Sequence, residues 1–142
     1  MIKGIGRLFT GMRASASALT AGRTRIDTIS ENIANADVTN VPGGGPYKRK
    51  LAVFEALTLD SGDGLETYGV RVRDVVQDQT PGRVMEDQSH PDADEHGIVH
   101  LPNVNAVVEM ADLVAAMRAY EANVTAQETF VDMAESALRL AQ

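Results

Sequence analysis

The sequence predicts an α+β chain in which long N- and C-terminal helices form a coiled-coil-like bundle, with a small antiparallel β module between them. Three observations predict it. Ile5, Met12, Leu19, Ile26 and Ile33 recur every seven residues, with Leu8, Ser15, Gly22, Ile29 and Ala36 as a second column beside them, the pattern of a helical seam. The same three-four spacing returns at Met110, Leu113, Met117, Tyr120, Val124, Gln127, Val131, Ala134, Leu138 and Ala141. Between the two seams the texture changes to short alternating runs punctuated by Gly, Pro and Asp, which favours strands and turns. The predicted organisation is residues 1–41 as an N-terminal core helix and turn, 42–102 as a loop and β-rich outer module, and 103–142 as a C-terminal core helix.

The first helix is predicted over Leu8 to Ala36, roughly 43 Å at 1.5 Å per residue. Ser15 and Gly22 supply little apolar area but let a neighbouring backbone come close. Gly22 weakens the isolated helix by about 1 kcal/mol relative to Ala. Polar groups gather at Asn35-Ala36-Asp37, and Val38-Thr39-Asn40-Val41-Pro42 cannot continue the helix, since Pro42 pushes its predecessor toward extended geometry. Gly43-Gly44-Gly45-Pro46 then reads as a hinge or tight loop. It is not a phosphate cradle, because the Lys of GxxxxGK[ST] is misplaced and no strand precedes the glycines. Leu51–Leu57 and Gly69–Val76 are predicted strands, with a turn over Asp60–Gly64. Pro81-Gly82 makes another turn, Arg83-Val84-Met85 extends a strand, and Gly97–Leu101 forms the last short one. This middle has few large apolar residues, so its thin core requires support from the helices or from neighbours.

Asn103 or Asn105 caps the second helix, which runs to about Leu140, roughly 54 Å. Val107, Val108, Ala111, Val114, Ala115 and Ala116 widen its apolar face beyond one seam. A helix apolar on more than one side touches more than one other element. Two helices of this kind leave apolar area uncovered if they pair with each other alone. Packing between subunits is the remedy, and a contact that does not close produces a tube or filament. The predicted N-terminal assembly seam is Met12, Leu19, Ile26, Ile29 and Ile33, and the C-terminal one is Met110, Leu113, Met117, Tyr120, Val124, Val131 and Leu138. A soluble helical adaptor forming a closed oligomer is the competing arrangement.

The chain's 142 residues suffice for one ordinary domain, or for a small domain with helical arms. The absence of Cys excludes disulfides and thiolate sites. The net charge of −7 is unevenly spread, from +5 over residues 1–50 to −8 over 51–100 and −4 over 101–142. That is a poor composition for a nucleic-acid binder. It suits an assembly in which the first helix of one subunit meets acidic surface on another, with Arg23 and Arg25 beside the seam as candidate partners for those acids. No apolar run reaches the length of a bilayer span, and the Met1 end lacks an apolar stretch followed by a cleavage site. Passage by a cleaved general secretory signal is therefore not expected.

Glu86, Asp87, His90, Asp92, Asp94, Glu95, His96 and His100 are residue types that bind divalent metals. Their spacing matches no ordered ligand pattern, and Pro91 with Gly97 indicates a tight connection, so an acidic structured turn is expected. A metal-dependent protein using this His/Asp turn is the lesser alternative. Ser89 beside His90 makes no triad, and no G-x-S-x-G or H-E-x-x-H arrangement occurs. No catalytic, cofactor or metal residue is assigned. Lys48-Arg49-Lys50 reads as a solvated or subunit-contacting patch.

Ser30-Glu31-Asn32-Ile33-Ala34-Asn35-Ala36-Asp37-Val38-Thr39 resembles the N-terminal signature of the flagellar rod, hook and hook-associated axial proteins. Further motifs narrow the likeness to the proximal rod: Gly44 to Lys50 with Pro46 and Tyr47, His90-Pro91-Asp92-Ala93-Asp94, Leu101-Pro102-Asn103-Val104-Asn105, and Arg118-Ala119-Tyr120-Glu121-Ala122-Asn123. The likeness runs from about Met12 to Leu140. One departure is Gly22-Arg23, where the family usually has Gln-Arg.

The resemblance implies a structural subunit of the bacterial flagellar basal body that transmits torque and encloses the export channel. It implies export by the flagellar type III apparatus without signal cleavage, and assembly in the periplasm. Implied partners are copies of itself, the other proximal rod proteins, the distal rod protein, the rod-to-ring adaptor, the inner-membrane ring protein and, during secretion, the export apparatus. By the same likeness Asn32, Asn35 and Thr39 end and turn the first helix, while Pro46 and Tyr47 lead into the sheet module. His90, Pro91, Asp92 and Asp94 form the acidic turn, Pro102 and Asn103 precede the last helix, and Tyr120, Glu121 and Asn123 lie on its inner or inter-subunit faces.

Overall fold

Two helices bracket four strands in the computed structural model, which describes residues 2–60 and 65–140. The elements are α1 (Ile2–Ala34), β1 (Lys50–Asp60), β2 (Leu65–Gln77), β3 (Val84–Glu86), β4 (Ile98–His100) and α2 (Ala106–Leu140). Of the predicted turn over Asp60–Gly64, Asp60 ends β1 and residues 61–64 lie outside the described residues, as do the seam position Ala141 and the side chains of Ile5 and Leu8. Helical geometry begins earlier than the predicted Leu8. It ends as predicted: the Asn35 and Ala36 amides donate to Asn32 and Ile33 carbonyls at 3.3 Å, tightening the last turn. Of the two predicted caps for α2, Asn105 serves. Its Oδ1 accepts from the amides of Val107 at 3.1 Å and Val108 at 3.4 Å, satisfying donors that the first turn leaves free.

α1 lies between α2 and the β1–β2 hairpin. On the α2 side, Ser15 and Ile29 are buried, and the small residues admit aromatic rings rather than a backbone. Tyr120 sits over Gly22, and a Cβ at Gly11 would lie 2.6 Å from Phe130 Cζ. On the hairpin side, Ala21 and Thr28 are buried. Ser17 Oγ donates to the Ala14 carbonyl at 2.8 Å and accepts from the Val70 amide at 3.0 Å. The Arg13 guanidinium stands 4.8 Å from the centre of the Tyr68 ring, a cation–π contact.

The described strands form two separate antiparallel ladders, where the sequence suggested one module. β1 pairs with β2 from Lys50↔Gln77 to Asp60↔Leu65, with register shifts after Val53 and Leu57. β3 pairs with β4 through Val84↔His100, Met85↔Val99 and Glu86↔Ile98. The division arises just past β2, where Asn103 Nδ2 donates to the carbonyls of Asp78 at 3.0 Å and Thr80 at 2.9 Å. Those carbonyls are held beside the entry to α2, and the chain turns away from the hairpin.

The core is as thin as composition suggests. Among the described residues the buried apolar side chains are Ala21, Ile29, Tyr47, Val99, Pro102, Val104 and Ala116. The predicted α2 seam splits into two columns. Leu113, Tyr120 and Val124 are half-buried, whereas Met110, Met117, Val131 and Leu138 are exposed. Val107 and Val114 are exposed as well, so Val107, Met110, Val114 and Met117 form one uncovered apolar stripe at helical spacing. On α1, Met12, Leu19, Ile26 and Ile33 are half-buried.

Gly97 holds φ +76° with the Gln88 side chain packed over it. Because a β-carbon disfavours left-handed backbone by about 1–2 kcal/mol, Gly97→Ala should lower the free energy of unfolding by that amount or more in urea titration. An unchanged midpoint would show that the 87–98 turn relaxes without cost.

Candidate functional site

A buried polar junction forms where the end of α1, the start of β1 and the first turn of α2 meet. Asn32, 1% exposed, uses its whole amide. Its Nδ2 donates to the Lys50 carbonyl at 2.9 Å and to Glu109 Oε2 at 3.0 Å. Its Oδ1 accepts from the Lys50 amide at 2.8 Å and from the Tyr47 hydroxyl at 3.0 Å. Glu109 is also 1% exposed, and its Oε1 accepts from Arg49 Nε at 2.6 Å. Arg49 Nη2 lies 3.8 Å from Asp112 Oδ2, and the Arg49 amide donates to Asn103 Oδ1 at 2.7 Å. Lys50 Nζ pairs with Glu31 at 2.5 Å. Buried polar groups with every valence satisfied specify one arrangement, and a half-satisfied set would be costly.

Local sequence explains each position. Asn32 sits one turn before α1 ends, on the helix face that meets β1. Tyr47 is fixed as the chain returns past the glycine loop, its amide donating to the Val38 carbonyl at 3.0 Å. Burial, and then the carboxylates of Glu31 and Glu109, push the Tyr47 hydroxyl up to about 12. In the extended residues just before β1, Arg49 reaches toward α2 while Lys48 stays in solvent, bonded to Gln79 Oε1 at 2.7 Å.

The His/Asp segment is a structured acidic turn. Asp92 accepts from the Thr39 hydroxyl at 2.6 Å and from Asn40 Nδ2 at 3.1 Å, which tie the segment after α1 to this turn. Those two bonds, Thr39's first, hold the Asp92 carboxyl below its ordinary 3.8. The linkage is thus present above that value and is lost as pH falls below it. Asp94 is lowered by the backbone amides of Ile98 and His96, and Asp87 by the Ser89 hydroxyl and amide. Among the described residues no three His, Asp or Glu side chains come together as metal ligands.

The structure brings Asn32 and Tyr47 of the sequence motifs into the junction and sets Asn103 at its rim, while Thr39 and Asp92 meet at the acidic turn. Asn35 bonds back to the Glu31 carbonyl at 2.8 Å, and Asn123 to that of Ala119 at 2.9 Å. Pro102 is buried, Pro46 and His90 are half-buried, and Pro91 and Glu121 are exposed. Sequence reasoning missed the Arg49–Glu109 pair. Its one visible signal was a lone acid inside the apolar opening of α2, where Val107, Val108, Met110 and Ala111 surround Glu109.

A rigid polar junction, two long helices leaving it side by side, and an apolar stripe left open on one of them define a subunit whose role is to pack. The sequence comparisons supply the particular kind. A model described as flagella basal body rod protein matches residues 12–40, and one described as flagellar basal body rod FlgEFG protein C-terminal matches residues 95–140. The chain is 40% identical to the flagellar basal-body rod protein FlgC of Borreliella burgdorferi, over 95% of this chain and 98% of that one. It is 39% identical to FlgC of Escherichia coli O157:H7, covering 89% and 92%, and 37% identical to FlgC of Bacillus subtilis, covering 93% and 97%. The chain belongs to the FlgC family of flagellar basal-body rod proteins. It is a structural axial subunit of the rod, not an enzyme, and it works by assembling with copies of itself and other rod components.

Asn32→Ala would leave Tyr47, Lys50 and Glu109 short of partners and should cost about 3 kcal/mol or more. Lys48→Ala, which touches an exposed hydrogen bond, should stay within about 0.5 kcal/mol; equal losses in chemical denaturation would mean that the junction is not the anchor. Because the folded state keeps the Tyr47 proton where an unfolded chain would lose it near 10, stability should fall as pH rises from 10 to 12. Tyr47→Phe should show a shallower fall over that window, and parallel curves would contradict the assignment.

Proposed function

We propose that this chain is a proximal rod subunit whose terminal segments, 1–41 and 103–142, form the inner helical tube, with residues 42–102 packed outside it. In this reading the rod stands in the periplasm, transmits torque and surrounds the channel through which later components pass. The chain travels unfolded through the flagellar type III apparatus without signal cleavage. Its neighbours are copies of itself, the other proximal rod proteins, the distal rod protein, the rod-to-ring adaptor and the inner-membrane ring protein. No helix among the described residues is long and apolar enough to cross a membrane, which accords with a rod held by protein contacts.

The observation that carries this reading is the stripe Val107, Met110, Val114 and Met117, exposed by 46–76% although α1 and α2 already pair. Such a stripe requires cover. The helices on their own bury little away from the junction at Asn32 and Glu109, so outside it most of residues 5–36 and much of 105–140 should be poorly ordered until neighbours arrive. Rapid amide exchange over both stretches in the dilute monomer is the expected result, and strong protection there would oppose it. Met117→Asp places a charge in the seam, as Ile26→Asp does on α1. An unpaired buried charge costs several kcal/mol and each 1.4 kcal/mol is tenfold, so either change should cut incorporation into basal bodies by more than about tenfold. Normal incorporation of Met117→Asp would show that this stripe faces solvent in the rod.

A further inference from the structure

Two strand edges in this molecule are open, and their spacing matches. Along β1, the Lys50 amide and carbonyl turn away from β2, because both bond the side chain of Asn32. With no register shift between Lys50 and Val53, alternation points the backbone groups of Ala52 the same way. β1 pairs with β2 alone among the described strands, so beyond the rung that Asn32 closes, this edge lacks a backbone partner.

It opens on a groove of about 350 Å³ walled by Arg25, Thr28 and Ile29 of α1 and floored by Leu51, Ala52 and Phe54, with Glu109 and Asp112 of α2 also lining it but already paired with Arg49. Phe54 is 42% exposed, and Arg25 is exposed with no acid within ion-pair distance among the described residues.

β3 carries the second open edge. The Arg83 carbonyl accepts from Leu101, and the Asp87 amide donates to Gly97, so residues 83 and 87 face the β4 side and Val84 and Glu86 face away from it. All three β3 residues are exposed, Val84 by 63%. The residue skipped in the ladder after Val53 is Arg73 on β2, so alternation along β1 continues. Ala52 with Phe54 on one edge and Val84 with Glu86 on the other therefore each offer backbone groups two residues apart, the repeat of a ladder. An open edge of this kind pairs when a complementary strand is presented.

We infer that the open edge of β1 on one copy takes β3 of a neighbouring copy as a third strand, with Glu86 meeting the free Arg25 guanidinium. The two edges differ, so the contact is heterologous and propagates from copy to copy instead of closing a pair. It lies outside the helical seam and adds to it, and it rests on the rod reading above.

A photoreactive phenylalanine analogue in place of Phe54, irradiated in purified basal bodies, should crosslink to residues 83–87 of another copy. A crosslink confined to the same copy, or to a different rod protein, overturns the inference. Ala52→Pro removes an outward amide while leaving the β1–β2 ladder its hydrogen bonds, so the monomer should keep its hairpin while incorporation falls at least tenfold; normal incorporation counts against the contact. Should that variant fail to fold, amide exchange at Ala52 and Phe54 of the unaltered chain decides: fast in the monomer and protected in basal bodies as expected, or fast in both if the strand is never covered. Failure of these tests in basal bodies that contain the chain sinks this contact alone, whereas absence of the chain from basal bodies sinks the rod reading.

Discussion

The structure depends on one side-chain amide. Asn32 satisfies two donors and two acceptors at once, and these belong to β1, to the segment after the glycine loop and to α2. With few apolar side chains fully buried, the molecule cannot fix its elements by hydrophobic packing alone. Direction comes from the polar junction. Glu109 is a charge taken out of water, a costly step unless paired and hydrogen-bonded, and Arg49 and Asn32 occupy its two oxygens. The pair therefore gives position more than net stability, which is what a subunit needs when its helices must leave a fixed point in a fixed direction.

From that point outward the restraints weaken in order. Close to the junction α1 is held by Asn32, Thr28 and Ile29. Further along, contact passes to Tyr120 over Gly22, the Ser17 hydroxyl with Val70, Arg13 over the Tyr68 ring and Phe130 over Gly11, with the small residues Ser15 and Ala21 buried between. Aromatic rings on glycines bury area without interlocking side chains, so this part of the helix pair is held by fewer groups per turn. Among its described residues α2 has one buried apolar side chain, Ala116, and many exposed ones. Stability distributed this way suits a part that is finished by its neighbours.

Much of this was legible beforehand, and the reason is periodicity. A seven-residue repeat shows a helix regardless of context, so both helices, the Pro42 stop and a cap at Asn103 or Asn105 could be read from the chain. The strands showed in alternation and turn residues. What could not be read is convergence: Asn32, Tyr47, Arg49, Asn103 and Glu109 come from separated segments, and nothing local to any of them announces the others. Periodicity also fails to say which of two adjacent columns turns inward. Met110 and Met117 share a repeat with Leu113 and Tyr120, yet the first pair is exposed and the second half-buried. The deciding residue is Glu109, whose bonds to Asn32 and Arg49 rotate α2 so that positions 109 and 116 face in. A polar contact thus selects which apolar column remains free.

That selection links fold to function. Had α2 been rotated to bury Met110 and Met117, the apolar demand would have been met inside one molecule, and a closed, self-sufficient helical pair would have resulted. Spending the inward face on Glu109 and Ala116 leaves Val107, Met110, Val114 and Met117 outside. The His/Asp turn contributes in a similar way: Asp92 binds Thr39 and Asn40, so the acids that a chemist would assign to a metal instead fasten the exit of α1 to the outer strands. Groups with chemical potential are used up in holding geometry, and apolar groups that would ordinarily hold geometry are left to the neighbours. That inversion of the usual division of labour is the physical signature of a structural subunit, and it follows from where one buried carboxylate points.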